Sequence, residues 1–291
     1  MSQSYVYLNG TILPAEEATV SVFDTGLLHG ASVFTTLLGH NGRPLRLQRH
    51  LKRLLDNADR IGLRHGSSAE ELTKAVNEVL AANRLTEARI RVTLTPGAVA
   101  GPGEEPRPAT IVTASAVENP PHWYEKGLGV MVSRFRQFGG DPAAGIKSGC
   151  YLGRVLARQE AAAAGLDEAL WFTPAGDLAE ACFCNVFLIR QGTVWTPPLE
   201  TPVLPGIVRE AVIELCQKHK IPCKADQPLT IKNCLAAEEM FLTSSVAGVR
   251  PVVRLERHAI GEEKPGPLTG KILAAYRKLL QEECPPQKAG Q

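Results

Sequence analysis

Apolar and polar positions along the chain alternate with two periods, and the two periods take turns. Tyr5-Val6-Tyr7-Leu8 followed by Asn9-Gly10 predicts a strand running into a hairpin turn. From His50 to Ile61 the apolar residues Leu51, Leu54, Leu55, Ala58 and Ile61 recur at helical spacing, and Leu72, Ala75, Val76, Val79 and Leu80 repeat the signal over Ser68 to Leu80. Arg89 to Leu94 and Thr110 to Ser115 read as strands. The Gly- and Pro-rich stretch between them, Thr95 to Arg107, reads as a long loop and a candidate site wall.

After Asn119-Pro120-Pro121-His122-Trp123 the pattern begins again. Strands are expected at Gly129 to Ser133, Glu168 to Phe172, Phe183 to Ile189, Met240 to Ser244 and Val249 to Val253, with a turn at Ala175-Gly176. Helices are expected at Leu152 to Ala164, Ile207 to His219 and Leu268 to Leu280. The expectation is an α/β protein of two domains, residues 1–120 and 121–291, with a ligand in the cleft between them.

Composition narrows the function classes. The 291 residues are 44% hydrophobic and carry a net charge of +2, with acids and bases mixed and no basic stripe. Nucleic-acid binding is therefore not expected. No apolar run approaches the roughly 18 residues of a membrane span, and the first residues form no signal core. The seven cysteines are scattered and odd in number, which points to reduced thiols and a cytoplasmic protein. Cys182 and Cys184 are too close for a zinc knuckle and lack a CxxC or histidine cluster, so no metal is expected.

Three features carry chemistry. Lys147, in Gly145-Ile146-Lys147-Ser148-Gly149, has few charges near it, which favours a free amine able to attack an aldehyde. Glu180 sits among small and apolar residues just before the Phe183 strand, where a buried carboxylate needs a partner such as a pyridinium N–H. Leu204-Pro205-Gly206 opens a helix and leaves the N–H groups of Ile207 and Val208 free for a phosphate. Thr243-Ser244-Ser245 offers a second phosphate seat, and Arg53, off the apolar stripe of its helix, a charged fork.

Together and in this order these pieces resemble the class IV aminotransferases, the fold-type IV pyridoxal-phosphate enzymes. That family includes branched-chain and D-amino acid aminotransferases, (R)-amine transaminases and 4-amino-4-deoxychorismate lyase. The resemblance runs from Tyr7-Leu8-Asn9-Gly10 through Asp24-Thr25-Gly26, His29-Gly30 and Val33-Phe34. It continues through Lys147, Glu160-Ala161, Gly165-Leu166-Asp167-Glu168, Glu180, Asn185-Val186-Phe187, Thr196-Pro197-Pro198 and Leu204 to Arg209, and ends at Gly266-Pro267-Leu268-Thr269. It implies two α/β domains with pyridoxal 5′-phosphate at their interface, the second carrying the lysine, and a homodimer with shared active sites. It implies Lys147 as the Schiff-base lysine and proton shuttle, Glu180 on the ring nitrogen and Leu204 against a ring face. Arg53, Gly206, Ile207, Val208, Ser244 and Ser245 are then the phosphate seat. The substrates implied are small amino acids and 2-oxo acids.

The chain departs from the family around the substrate. Several members have a glutamate after the aromatic of the Val-Phe run, where this chain has Thr35, and Phe34-Thr35-Thr36 resembles the lyases. Thr95-Pro96 stands where D-amino acid aminotransferases place a carboxylate-binding arginine, leaving Arg89 and Arg91 as the nearby candidates. Ser148-Gly149-Cys150-Tyr151 is one residue shorter than the corresponding run of branched-chain enzymes, and His29 replaces an aromatic at the pocket wall. The expected substrate pocket is His29, Phe34, Thr35, Arg91 and Tyr151. The expected reaction is transamination between an amino acid and a 2-oxo acid, of branched-chain or D-amino acid type, with aminodeoxychorismate lysis as the alternative.

Overall fold

A computed structural model describes residues 4–98 and 107–286, so most of the Thr95–Arg107 loop lies outside the described residues. The chain forms two compact units. The first contains the described residues up to Glu118, Ile146–Cys150 and the described residues from Leu280. The second contains Asn119–Gly145 and Tyr151–Leu279.

The first unit is a six-stranded antiparallel sheet in the order β2-β1-β6-β5-β3-β4. Its strands are β1 (Tyr5–Leu8), β2 (Thr11–Pro14), β3 (Val33–His40), β4 (Arg43–Pro44), β5 (Ala88–Thr95) and β6 (Ala109–Ala116). Asn9 and Gly10 both adopt positive φ, 47° and 97°, as a two-residue hairpin requires. Helices α1 (Thr25–His29), α2 (Leu47–Arg60) and α3 (Ala69–Asn83) complete the unit. Ser68 and Glu71 form a reciprocal capping box at the start of α3. Leu51, Leu54 and Ala58 of α2 and Val76 and Val79 of α3 join Leu37, Ile90 and Val92 in one core.

The second unit holds a nine-stranded mixed sheet in the order β12-β11-β10-β13-β14-β7-β8-β9, with β15 added to β14. The strands are β7 (Leu128–Arg136), β8 (Glu168–Phe172), β9 (Leu178–Ala181), β10 (Asn185–Arg190), β11 (Thr193–Trp195), β12 (Cys223–Lys224), β13 (Glu239–Ser244), β14 (Gly248–Leu255) and β15 (His258–Ala259). Helices are α4 (His122–Glu125), α5 (Leu152–Ala163), α6 (Ile207–Lys218), α7 (Ile231–Leu235) and α8, which runs on from this unit over Pro267–Glu283. Strands β7 and β8 are parallel, so the chain crosses over between them through α5. Lys147 lies on that crossover, although its five-residue segment belongs to the first unit. No helix among the described residues is long and apolar enough to cross a membrane.

Candidate active site

In the first unit, Lys147 is fixed through its backbone. Its carbonyl accepts from the N–H of Phe34 at 2.9 Å, and Ser148 forms an antiparallel bridge to Val33. Gly149 then donates to Ser32 O, and a Cβ at Gly149 would overlap the Ser32 hydroxyl, so the segment lies against the start of β3. The Lys147 ammonium sits 4.6 Å from the centre of the Phe34 ring, and the Arg91 guanidinium lies 3.6 Å from that centre. Arg91 also donates through Nε to Thr93 Oγ1 at 3.0 Å, whereas Arg89 is exposed. The structure thus separates the two strand arginines that alternation alone left equivalent.

Arg53 is not on a solvated helix face. It is buried on α2 together with His50 and Asn57, three polar residues in a row beside the apolar Leu47, Leu51, Leu54 and Ala58. Its Nη2 donates to Thr35 Oγ1 at 3.2 Å, and the same hydroxyl meets His50 Nδ1 at 2.8 Å. Burial holds the His50 imidazole well below its ordinary range, with Arg53, Lys147 and Arg46 adding positive charge in the same direction. Arg53 and His50 therefore meet at the Thr35 hydroxyl, and the histidine is one that sequence reasoning did not single out. Asp24 caps α1 by accepting from Gly26 N at 2.7 Å and takes the Thr95 hydroxyl at 2.6 Å, which gives the Asp24-Thr25-Gly26 motif a structural role. His29 ends α1 and is exposed.

In the second unit, Glu180 lies inside β9 rather than ahead of a strand, and only 4% of it is exposed. One carboxylate oxygen pairs with Arg154 Nη2 at 2.5 Å, and the other accepts from Leu204 N–H at 3.0 Å. Asn185 holds the Leu204 carbonyl at 2.9 Å. Leu204 is thereby pinned between β9 and β10, two residues before Gly206 caps α6.

No side chain caps α6, so its first N–H groups, those of Ile207 and Val208 among them, keep their donors for an anion. A Cβ on Gly206 would overlap Asn185 Oδ1, so only glycine lets the backbone approach here. Thr243 stands opposite Asn185 across β10 and β13, on the same sheet face, and its buried hydroxyl has no partner among the described residues. An orphaned hydroxyl on the sheet face that carries Asn185, the residue holding Leu204 ahead of α6, suits the oxygens of a phosphate. Ser244 and Ser245 follow it and are half-buried. Tyr151 caps α5 and stacks on Phe183 with centroids 5.8 Å apart.

The buried carboxylate and the anion seat of the second unit suit a phosphorylated heterocycle, and the first unit holds a lysine whose amine could take an aldehyde. The profile of the family described as Amino-transferase class IV matches residues 32–255. A putative branched-chain-amino-acid aminotransferase of Methanocaldococcus jannaschii is 33% identical over 279 residues, which cover 94% of this chain and 96% of that protein. The Escherichia coli branched-chain amino acid aminotransferase structure superimposes with a TM-score of 0.90 at 28% identity, covering 99% of this chain and 98% of that one. The branched-chain aminotransferase of the thermophilic archaeon Thermoproteus uzoniensis, solved with norvaline, gives 0.88 at 30% identity, covering 97% and 96%. Another branched-chain amino acid aminotransferase, solved with pyridoxamine 5′-phosphate, gives 0.89 at 27% identity, covering 99% and 96%. The chain belongs to the class IV aminotransferases.

Proposed function

We propose that this aminotransferase works on pyridoxal 5′-phosphate and moves an amino group between an amino acid of branched-chain or D type and a 2-oxo acid. When bound, the cofactor supplies an electrophilic carbon for the amine and a protonated ring that takes up the electron pair left when a proton departs. Lys147 is the amine that carries it. The same Nζ would hold and move the proton at the substrate's α-carbon. Glu180 keeps the ring nitrogen protonated, and Leu204 lies against a ring face. Arg53, Gly206, Ile207, Val208, Ser244 and Ser245 hold the phosphate, with Thr243 added by its orphaned hydroxyl. His29, Phe34, Thr35, Arg91 and Tyr151 form the substrate pocket, with Arg91 as the group for a carboxylate. The protein acts as a cytoplasmic homodimer. Its seven free cysteines suit a reducing compartment.

The observation that carries this reading is the pinning of Leu204 between Glu180 and Asn185 at the mouth of an uncapped helix. It supports one rigid loop with an anchor for a ring nitrogen at one end and an anchor for a phosphate at the other. The test is a half-reaction panel on the purified holoenzyme. L- and D-amino acids are expected to bleach the visible cofactor band, and Lys147→Ala is expected to lack both band and turnover. Release of p-aminobenzoate from aminodeoxychorismate, without bleaching by amino acids, would overturn the transaminase reading in favour of the lyase, the reading that the Phe34-Thr35-Thr36 run favours.

A further inference from the structure

The carboxylate at Glu180 is itself held by a residue that the family resemblance does not involve. Arg154 projects from the first turn of α5 and is nearly sequestered, its side chain 16% exposed. Its Nη2 donates to Glu180 Oε1 at 2.5 Å and to Gln137 Oε1 at 3.1 Å. Its Nη1 donates to the carbonyls of Ala181 at 3.1 Å and Cys182 at 3.0 Å, the two residues that follow Glu180. The guanidinium lies 5.5 Å from the centre of the Tyr151 ring and 5.4 Å from that of Trp171.

This fork grips Glu180 twice, once through the carboxylate and once through the backbone just beyond it. A planar, aromatic-flanked guanidinium with both terminal nitrogens bonded loses little freedom on forming such bonds, so it fixes direction as well as charge. Burial works against the Arg154 charge, and the Glu180 carboxylate, with Tyr151 and Cys182, more than restores it. Tyr151 and Cys182 are the other titratable groups facing it, and the Cys182 thiol is pushed up to about 12, so it stays neutral. With Leu204 N–H on the second oxygen, both oxygens of Glu180 are oriented before any ligand arrives.

We propose that Arg154 is a positioning residue for transamination: it aims the Glu180 carboxylate at the cofactor's ring nitrogen, so that it sets how firmly that nitrogen keeps its proton. The inference rests on the assignment of Glu180 to the ring nitrogen. A charged group aimed in advance costs no reorganisation during reaction, which is where such a fork has its effect.

The experiment is a double-mutant cycle on the holoenzyme with Arg154→Gln, Glu180→Gln and the pair, using cofactor labelled with 15N in the ring. The readouts are the ring-nitrogen chemical shift, kcat and cofactor affinity. Arg154→Gln is expected to move the ring-nitrogen signal towards its unprotonated position and to lower kcat by about tenfold or more, with affinity changed far less because the phosphate seat is untouched. In the Glu180→Gln background the same change is expected to do nothing further, since Arg154 acts through Glu180. Arg154→Lys keeps the charge but not the fork; it is expected to move the signal in the same direction by a smaller amount at reduced kcat, and it takes the place of Arg154→Gln in the cycle should that variant not fold. If Glu180→Gln shifts the signal and the Arg154 variant does not, this inference falls and the cofactor assignment stands. If Glu180→Gln itself changes neither signal nor turnover, the assignment of Glu180 falls, and this inference with it.

Discussion

The hydroxyl of Thr35 and the imidazole of His50 meet at 2.8 Å, and a third residue shares that hydroxyl. Arg53 can only donate, so Thr35 Oγ1 accepts from it. The hydroxyl keeps a hydrogen and a second lone pair, so it can pair with His50 Nδ1 in either tautomer of the neutral ring. A threonine in the place of the glutamate found in several relatives therefore joins an arginine to a neutral histidine without adding charge.

Thr35→Ala removes the group that both partners share. One buried hydrogen bond to a charged group is worth about 1.5–3 kcal/mol, and part of that is expected to appear as a looser Arg53. Titration of the apoenzyme with pyridoxal phosphate, followed by the visible band, should show affinity weakened roughly tenfold. Thr35→Ser, which keeps the hydroxyl, should bind like the parent.

His50 gives the fold an acid-side weakness. Its folded pKa lies well below 6.5, while the unfolded chain titrates near that value. As pH falls below 6.5 the unfolded state takes up a proton that the folded state refuses, so stability is lost on acidification and regained above it. The slope from this one group approaches about 1.4 kcal/mol per pH unit inside the window. Urea midpoints measured from pH 8 down to pH 5 should fall more steeply for the parent than for His50→Gln; parallel curves would exclude the effect.

Gly206→Ala tests the anion seat without touching a charged residue. The added Cβ overlaps Asn185 Oδ1, which must give way while also holding Leu204. A stability loss of about 1–3 kcal/mol is expected from overpacking. Cofactor affinity should fall with it, because Leu204 and the first turn of α6 shift together. Thermal unfolding of apo and holo forms separates the two effects: the gap between their midpoints should shrink.

Much of this was legible beforehand, and the failures have physical causes. The helical pattern after His50 located α2, yet its start at Leu47 follows Arg46 in the left-handed region with no side-chain cap, so no start signal exists. Strand β3 was not foreseen because Val33–His40 is buried almost throughout and shows no alternation. Strand β9 has four residues, all buried, and Glu180 among small neighbours read as the approach to a strand rather than part of one. The residue types proposed for the site were readable because each has a chemical signature. Their holders, Arg154 for Glu180 and Thr35 for Arg53, were not, since those pairings depend on packing between elements 26 and 18 residues apart.

Glu239 closes the start of α8 from another strand. Its two oxygens accept from Leu268 N–H at 3.0 Å and Thr269 N–H at 2.7 Å, replacing a local cap with a remote one. Glu239→Ala is expected to cost about 1–2 kcal/mol, in the range of a lost N-cap. Glu239→Gln keeps one acceptor oxygen and should lose less. Denaturant midpoints give both values.

The five residues Ile146–Cys150 leave the second unit's stretch of sequence, bond to the start of β3 and return. A gene cut after residue 118 would therefore place the amine on one polypeptide and the strand that seats it on the other. Neither product alone could hold Lys147 against its strand, and, on the proposed function, colour on mixing them with the cofactor would report reassembly directly.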